Sequence, residues 1–298
     1  MMSYATKLAA PLVFLCLIGA TPDGSSTSTT VNASELAHRY TWLEEMDDVE
    51  TVIPLSQRFE PPQGFERVDI EPNSYADFLR ELPTFPDRTT VRAFDGRRLN
   101  SPAASIVALD VGRRDVQQCA TTAIRLHAEY LWQAQRHDEL SYHFTSGDRS
   151  GWDEWLNGER FVIQGSSVER RNGAARAPTR STFREYLDHL FIYAGTLSLR
   201  HDTEQVAPQE LQPGDIFNDP GSPGHAVILL DIAESPDGRR AALIGQGFMP
   251  APELHVLYAS GPRVLDNVWF LLPDDDHPRL DTPSWPAFSS HQALRFDH

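Results

Sequence analysis

The spacing of apolar residues predicts helices in the middle of the chain and strands at its end. After Asp115, apolar and small residues recur at intervals of three and four, as on the buried face of a long helix: Val116, Ala120, Ala123, Ile124, Leu131 and Ala134. A second stripe predicts another long helix with a capping box at Thr182 and Glu185: Phe183, Leu187, Leu190, Ala194 and Leu197. Ser74 begins a shorter predicted helix that Pro83 stops.

Strands predominate from Leu211 onward. Alternating or β-branched runs separated by turn residues predict strands over 215–218, 225–233, 240–246, 253–258 and 267–271. Three earlier strands are predicted over 104–111, 141–145 and 160–164. Helices followed by an antiparallel sheet indicate an α+β fold rather than a doubly wound one, with a Cys-bearing helix packed on a C-terminal antiparallel sheet.

The N-terminus reads as an export signal. Lys7 precedes an apolar run that is too short to span a bilayer, so residues 1–20 are predicted to be a signal peptide and the mature protein to be periplasmic or secreted. A lipid anchor on Cys16 is the alternative. Residues 21–35, rich in Ser and Thr, are predicted to be a flexible tether. The remaining 36–298 form one predicted domain, with an N-terminal appendage at about 40–100 and a core at about 101–290.

The charge and the histidine spacing exclude several classes of partner. The 298 residues include 26 basic and 42 acidic ones, giving a net charge of −16. Such a surface repels nucleic acid and anionic membranes. No transmembrane segment follows the signal, and no cofactor is predicted. The histidines His127, His137, His143 and His189 lack the spacings of common metal sites.

Cys119 is the first candidate for chemistry. If Cys16 leaves with the signal, Cys119 stands alone in an oxidising compartment, where it is buried and inert, paired with another chain, or kept as a reactive thiol. Its place near the start of the predicted helix favours reactivity, because free N–H groups and the helix dipole stabilise a thiolate. The sequence therefore predicts a lowered thiol pKa.

His225 is the second candidate. It opens an apolar strand after Pro223 and Gly224, and a helix-start Cys followed by a strand-start His is the order of papain-like thiol hydrolases. A four-residue turn at 235–238 would place Gln246 opposite Val227, on the face that carries His225. Gln246 is thus the predicted orienting residue, and Asp215, Asp219 or a backbone carbonyl are the alternatives. Asp231 shares that face but lies too far along the strand.

Five blocks carry a resemblance to a known family: 115–120 with Gln-Gln-Cys-Ala, 125–131, 193–199 with Ala-Gly-Thr-Leu-Ser-Leu, 223–228 with Pro-Gly-His-Ala-Val-Ile, and 246–251. Over about residues 60–290 the chain resembles an uncharacterised bacterial exported family, known as a domain of unknown function. The resemblance implies an exported protein and supplies no activity.

The passage from Leu211 to Val227 is separately similar to the His region of bacterial cell-wall peptidases of the papain-like superfamily. This similarity implies thiol attack on an amide or ester carbonyl of a cell-envelope peptide or glycopeptide such as peptidoglycan. Cys119 would be the nucleophile and His225 the base, with a backbone N–H near Cys119 and Gln118 stabilising the oxyanion. Gln118 stands where those enzymes usually carry Asp. This difference favours the alternative, a non-catalytic binding or assembly protein of the cell envelope with the same fold.

Overall fold

The computed structural model describes residues 29–164, 167–283 and 285–297. The predicted signal peptide, Cys16 and the tether up to residue 28 lie outside the described residues. The helices are α1 Ala33–Leu36, α2 Leu55–Arg58, α3 Tyr75–Arg80, α4 Cys119–Gln133, α5 Trp152–Leu156 and α6 Arg180–Tyr193. None of these helices of the described part is long and apolar enough to cross a membrane.

Strands make up most of the remaining regular structure. In the first part of the chain they are β1 Val31–Asn32, β2 Thr51–Pro54, β3 Glu66–Arg67, β4 Pro83–Thr84, β5 Ala103–Ile106, β6 Ser141–His143, β7 Arg149–Gly151, β8 Glu159–Gln164 and β9 Ser167–Asn172. In the second part they are β10 Thr203–Gln205, β11 Ile216–Asp219, β12 His225–Glu234, β13 Arg240–Gln246, β14 His255–Leu257, β15 Val264–Leu265, β16 Trp269–Leu271, β17 Arg279–Thr282, β18 Trp285–Ser289 and β19 Ala293–Phe296.

One large antiparallel sheet organises the protein. Among the described residues it has ten strands, in the order β10-β19-β11-β12-β13-β14-β5, with β3 beside β12 and the β15–β16 pair beside β13. The other strands form small two- and three-stranded antiparallel sheets. The fold is therefore mixed α/β with a large antiparallel sheet and few helices, which confirms the prediction at this level.

The central strand β12 is covered on both faces. Ala226 and Ile228 belong to the main hydrophobic core, which α4 shares through Ala123 and its neighbours. Val227 belongs to a second core on the opposite side, closed by Phe288 of β18. This burial on both faces explains the unbroken apolar run that follows His225.

The N-terminal segment is part of the main core. Tyr40 and Trp42 are buried there with Phe78 of α3. The Tyr40 hydroxyl donates to Phe78 O at 2.9 Å, and Trp42 Nε1–H donates to Ala108 O at 2.6 Å. Residues 40–100, predicted to be an appendage, therefore pack into the same core as α4. Regular structure begins earlier than predicted, because β1 and α1 lie in the last residues of the predicted tether.

Two predicted helix starts differ from the structure. The helix predicted to begin after Asp115 starts at Cys119, because Gln118 is still extended (φ −92°, ψ −156°) and Asp115 uses its carboxylate to accept from Ala251 N–H at 2.6 Å. The second helix starts at Arg180, where the Thr179 hydroxyl accepts from Thr182 N–H at 3.2 Å. Thr182 is thus inside the helix rather than its cap.

The predicted pairing of Val227 with Gln246 is confirmed, although the turn is longer than predicted. Glu234 pairs with Arg240 rather than Arg239, so the connection has five residues. A β-bulge between Leu229 and Asp231 restores the predicted register toward the start of β12. Asp231, which directly follows the bulge, accepts hydrogen bonds from Arg67 and Arg80.

Candidate thiol site

Cys119 is the first residue of α4 and lies against the start of β12. Ala120, the next residue, packs in the core that Ala226 shares. The thiol is 8% exposed and lies within hydrogen-bonding reach of the backbone N–H of Ala226, with its own N–H and that of Ala120 also close. Ala226 directly follows His225. The structure therefore brings Cys119 and His225, 106 positions apart in sequence, to neighbouring places.

The thiol is less acidic than its helix position suggests. Burial raises the pKa of Cys119, and the N–H groups of Ala226, Ala120 and Cys119 offset only part of that rise. The prediction of a lowered thiol pKa is therefore wrong in direction. The sequence showed the helix terminus, but it did not show how fully β12 would cover the sulfur.

His225 is held rigidly under an aromatic cover. The ring is 1% exposed, and its Nε2–H donates to Gln246 Oε1 at 3.0 Å. Ring centroids of Phe248, Trp285 and Phe288 lie 5.0, 5.1 and 6.1 Å from that of His225. Burial lowers the pKa of His225, so the imidazole is neutral at neutral pH. With the proton on Nε2, Nδ1 carries the lone pair that a general base needs.

The two aspartates that were alternatives to Gln246 bind other groups. Asp219 pairs with His225 across the sheet, but its carboxylate accepts from Trp285 Nε1–H and Gln292 Nε2–H, both at 2.9 Å. Asp215 accepts from Arg295 at 2.7 and 2.8 Å. Asp219 acts on His225 only through its charge, which raises the pKa of the imidazole against the effect of burial.

The thiol and the imidazole are not bonded to each other. In the part of the chain that the structure describes, no hydrogen bond joins Cys119 Sγ to a ring nitrogen of His225. The sulfur is directed to the backbone of β12, and the ring is directed to Gln246. Proton transfer from Cys119 to His225 Nδ1 would need the two atoms to approach to roughly 3–4 Å.

A cleft of about 460 Å³ opens onto Cys119, and four of the five family-like blocks meet there. It is lined by residues 114–116 and 118–121, by 191–192 in the last turn of α6 and 194–196 after it, by the 221–224 loop and by Met249. Met249 and Ile192 are 45% and 39% exposed, so part of the rim is apolar. His225 does not line the cleft. A ligand in this cleft would contact the thiol and not the imidazole.

Gln118 stands at the mouth of this cleft with its amide already engaged. Its Nε2–H donates to Asp115 Oδ1 at 3.0 Å, and its backbone N–H donates to the Thr121 hydroxyl at 2.7 Å. The Nε2 nitrogen also donates to Asp115 O at 3.5 Å, a long contact that a ligand oxygen can replace. The Cys119 N–H belongs to the first turn of α4, whose N–H groups have no acceptor within the helix. These two groups are the available oxyanion donors.

A larger cleft of about 590 Å³ lies elsewhere, beside α3 and residues 209–215. Its arginines are already engaged: Arg295 pairs with Asp215, Arg136 pairs with Glu139, and Arg240 donates to Leu211 O. Cys119 and His225 do not line it. The described residues also contain no group of three or more His, Cys, Asp or Glu that could hold a metal ion. We therefore place the candidate chemistry at Cys119.

Gly247 sets how closely β13 approaches the start of α4. A Cβ at this position would lie 2.8 Å from Gln118 O and 2.5 Å from Thr122 Oγ1. Because one of these atoms is backbone, we expect Gly247→Ala to lower the free energy of unfolding by about 1–3 kcal/mol, measured by chemical denaturation. Gly195→Ala is the matched control, since its Cβ would meet nothing within 4 Å. Equal losses in the two variants would contradict the close-approach argument.

The raised thiol pKa gives a second prediction. Because only the thiolate reacts, iodoacetamide should alkylate Cys119 in the folded protein more slowly than a model thiol at pH 6 to 8, with a rate that rises through a pKa above the usual value. Labelling followed by mass spectrometry measures the pH profile. Rapid alkylation at pH 6 would show instead that His225 holds a thiolate.

Two features of the site were not found from the sequence. His255 lies opposite Gln246 on β14, but the connection between those strands is too long for a turn to fix their register. Trp285 and Phe288 come from a hairpin, β17–β18, that the sequence analysis did not predict. Of these residues, only His255 lies in a run that the sequence analysis predicted to be a strand.

Fold and site together define a mixed α/β protein with a helix-start thiol facing the central strand of an antiparallel sheet. The chain belongs to the family described as Domain of unknown function (4846), whose model matches residues 55–295. No curated protein matches the chain. No solved structure matches it.

Proposed function

We propose that this protein is an exported thiol hydrolase of papain-like architecture, which cleaves an amide or ester bond of the cell envelope, with peptidoglycan peptides as the candidate substrate. One observation carries the proposal. Cys119, at the first position of α4, lies against the N–H that follows His225, and His225 is oriented through Nε2 by Gln246. A helix-start Cys, a strand-start His and a side-chain amide behind the imidazole are the Cys-His-Asn elements of papain-like proteases, with Gln in place of Asn.

In this mechanism the Cys119 thiol and the His225 imidazole are both uncharged before the substrate reacts. A substrate carbonyl enters the cleft, and Cys119 Sγ attacks its carbon while His225 Nδ1 takes the thiol proton. The oxyanion receives hydrogen bonds from Cys119 N–H and from Gln118 Nε2, which exchanges its long contact with Asp115 O for the substrate oxygen. His225 then gives the proton to the leaving amine or alcohol, and water hydrolyses the resulting thioester with His225 again acting as base. The mechanism requires a rearrangement that brings Sγ and Nδ1 together, because α4 packs on the Ala226 side of β12 and the imidazole packs with Phe288 on the Val227 side.

The export part of the proposal is supported by the sequence of residues 1–20, which has the pattern of a signal peptide. The rim of the cleft carries the partly exposed side chains of Met249 and Ile192, so a substrate can reach Cys119 from solvent. The strongly negative net charge of −16 disfavours nucleic acid as the substrate.

The test uses purified bacterial cell wall and a set of model amides and esters. A hydrolase releases new amino groups or alcohols with time, and it accumulates a thioester on Cys119 that mass spectrometry detects after an acid quench. If neither product nor thioester forms with any substrate, the hydrolase proposal is wrong.

A specific observation favours a second candidate, a non-catalytic binding protein of the cell envelope. The Cys119 thiol is bonded to backbone rather than to His225, and burial raises its pKa. In a binding protein Cys119 would only fill space beneath the cleft. Cosedimentation with purified cell wall would then be unchanged by Cys119→Ser and lost when a bulky residue replaces Thr196 in the cleft wall.

A further inference from the structure

A buried histidine outside the proposed Cys119, His225 and Gln246 set is bonded to its last member. His255 of β14 is 0% exposed and pairs with Gln246 across the sheet. Its Nδ1 lies 2.9 Å from Glu253 O, and its Nε2 lies 2.9 Å from Ser101 Oγ and 3.4 Å from Gln246 Nε2. Both ring nitrogens are therefore engaged.

These contacts determine where the proton of His255 lies. A carbonyl oxygen can only accept, so Nδ1 carries the hydrogen and donates it to Glu253 O. Burial lowers the pKa of His255 to about 4, so the ring holds a single proton at neutral pH. Its Nε2 is then an acceptor of hydrogen bonds, one from the Ser101 hydroxyl and one from an N–H of Gln246.

The orientation of Gln246 follows from this acceptor. Its amide nitrogen faces His255 Nε2, so its carbonyl oxygen faces His225 Nε2, 3.0 Å away. His225 must then carry its proton on Nε2, which leaves Nδ1 unprotonated. The reversed amide would present N–H to His225 Nε2 and move the ring proton to Nδ1, the nitrogen that has to accept the thiol proton.

We propose that His255 is a positioning residue, which fixes the amide of Gln246 and through it the tautomer of His225. The inference rests on the proposed hydrolase for its catalytic consequence, but the tautomer itself can be measured without substrate. His255 does not line the cleft, and the hydrogen bond that connects it to the site is the one with Gln246.

The first measurement is a long-range proton–nitrogen NMR spectrum of the folded wild-type protein at neutral pH. This spectrum distinguishes protonated from unprotonated ring nitrogens. We expect hydrogen on Nε2 of His225 and on Nδ1 of His255. Hydrogen on Nδ1 of His225 in the wild type would overturn the proposal.

The second measurement removes the acceptor. His255→Leu should give a mixture of the two tautomers of His225 and lower kcat on the best model amide about tenfold, with little change in KM, because a wrongly protonated imidazole cannot act as base. His255→Gln, which can return an acceptor oxygen, should restore most of the loss. His189→Leu is the matched control: burial also lowers the pKa of His189 to about 4, but this residue lies on α6 outside the network.

The outcomes separate the two proposals. If the tautomer of His225 changes in His255→Leu while no variant or wild type hydrolyses anything, the positioning role stands and the hydrolase falls. If kcat falls while the tautomer of His225 stays the same, the positioning role is wrong.

Should His255→Leu not fold, Gln246→Glu provides the test. A carboxylate oxygen facing Nε2 of His255 should leave His255 protonated on both ring nitrogens near pH 7. A singly protonated His255 in that variant would overturn the inference.

Discussion

Cys119→Ser is expected to abolish release of amino groups from cell wall, with kcat/KM reduced at least about 10³-fold and the melting temperature almost unchanged. A serine hydroxyl fits the space of the thiol and can still accept from Ala226 N–H, so the fold keeps its contacts. It is a far weaker nucleophile beside a neutral imidazole. Initial rates of amine release and thermal unfolding of both proteins measure the effect.

His225→Asn should cost about as much as Cys119→Ser, and the double variant should cost little more than either, because the two residues act as one unit. His143→Asn is the matched control, since His143 is a half-buried histidine bound to Asp202 outside the site. Full activity in His225→Asn would contradict the Cys-His mechanism. A fall in melting temperature without any wild-type activity would favour the binding protein.

The central hairpin shows how much a turn can predict. Counting from a four-residue turn placed Gln246 opposite Val227, which is the pairing the structure has. The turn is one residue longer than assumed, and the bulge before Asp231 compensates for it. Apolar alternation identified the strands, but bulges have no clear signal in a strand that is apolar on both faces. The agreement at Gln246 thus depends on two offsetting differences.

The site was partly accessible from the sequence because Cys119 and His225 open their elements. The first residue of a helix and the first residue of a strand stand at element ends, where side chains reach clefts, and capping and turn residues mark such ends. His255 and Trp285 could not be found in the same way. Their roles depend on strand register and on a hairpin that follow long connections, and no local pattern sets either.

The pKa of the Cys119 thiol was the property that the sequence predicted least well. The helix start predicts a lowered thiol pKa, and the structure has it raised, because desolvation by β12 outweighs the nearby N–H groups. Burial of one particular atom depends on how closely the surrounding elements approach, and Gly247, just after β13, is one residue that permits a close approach to the start of α4. The sequence contains the glycine but does not show which backbone it faces.

Asp231→Asn is expected to lower the free energy of unfolding by about 3 kcal/mol. The Asp231 carboxylate is 0% exposed and accepts from Arg67 Nε–H and Arg80 Nε–H, both at 2.7 Å. These bonds tie β3 and α3, elements of the N-terminal segment, to the far half of β12. Asparagine keeps the volume but removes the charge, which leaves two guanidinium groups facing a neutral amide. Urea denaturation followed by circular dichroism measures the difference.

The size of the loss tests whether the N-terminal segment is anchored through this carboxylate. Arg67 and Arg80 remain 21% and 12% exposed, so partial hydration places the expected cost at the lower end of the range for a broken buried pair. Glu154→Gln is the matched control, because Glu154 and Arg149 form a surface pair that is about half exposed, and its loss should cost less than about 1 kcal/mol. If the two substitutions cost the same, the packing of Tyr40, Trp42 and Phe78 holds the segment on the sheet without help from Asp231. A loss confined to Asp231→Asn, with limited proteolysis cutting first before residue 100, would assign the anchor to the carboxylate.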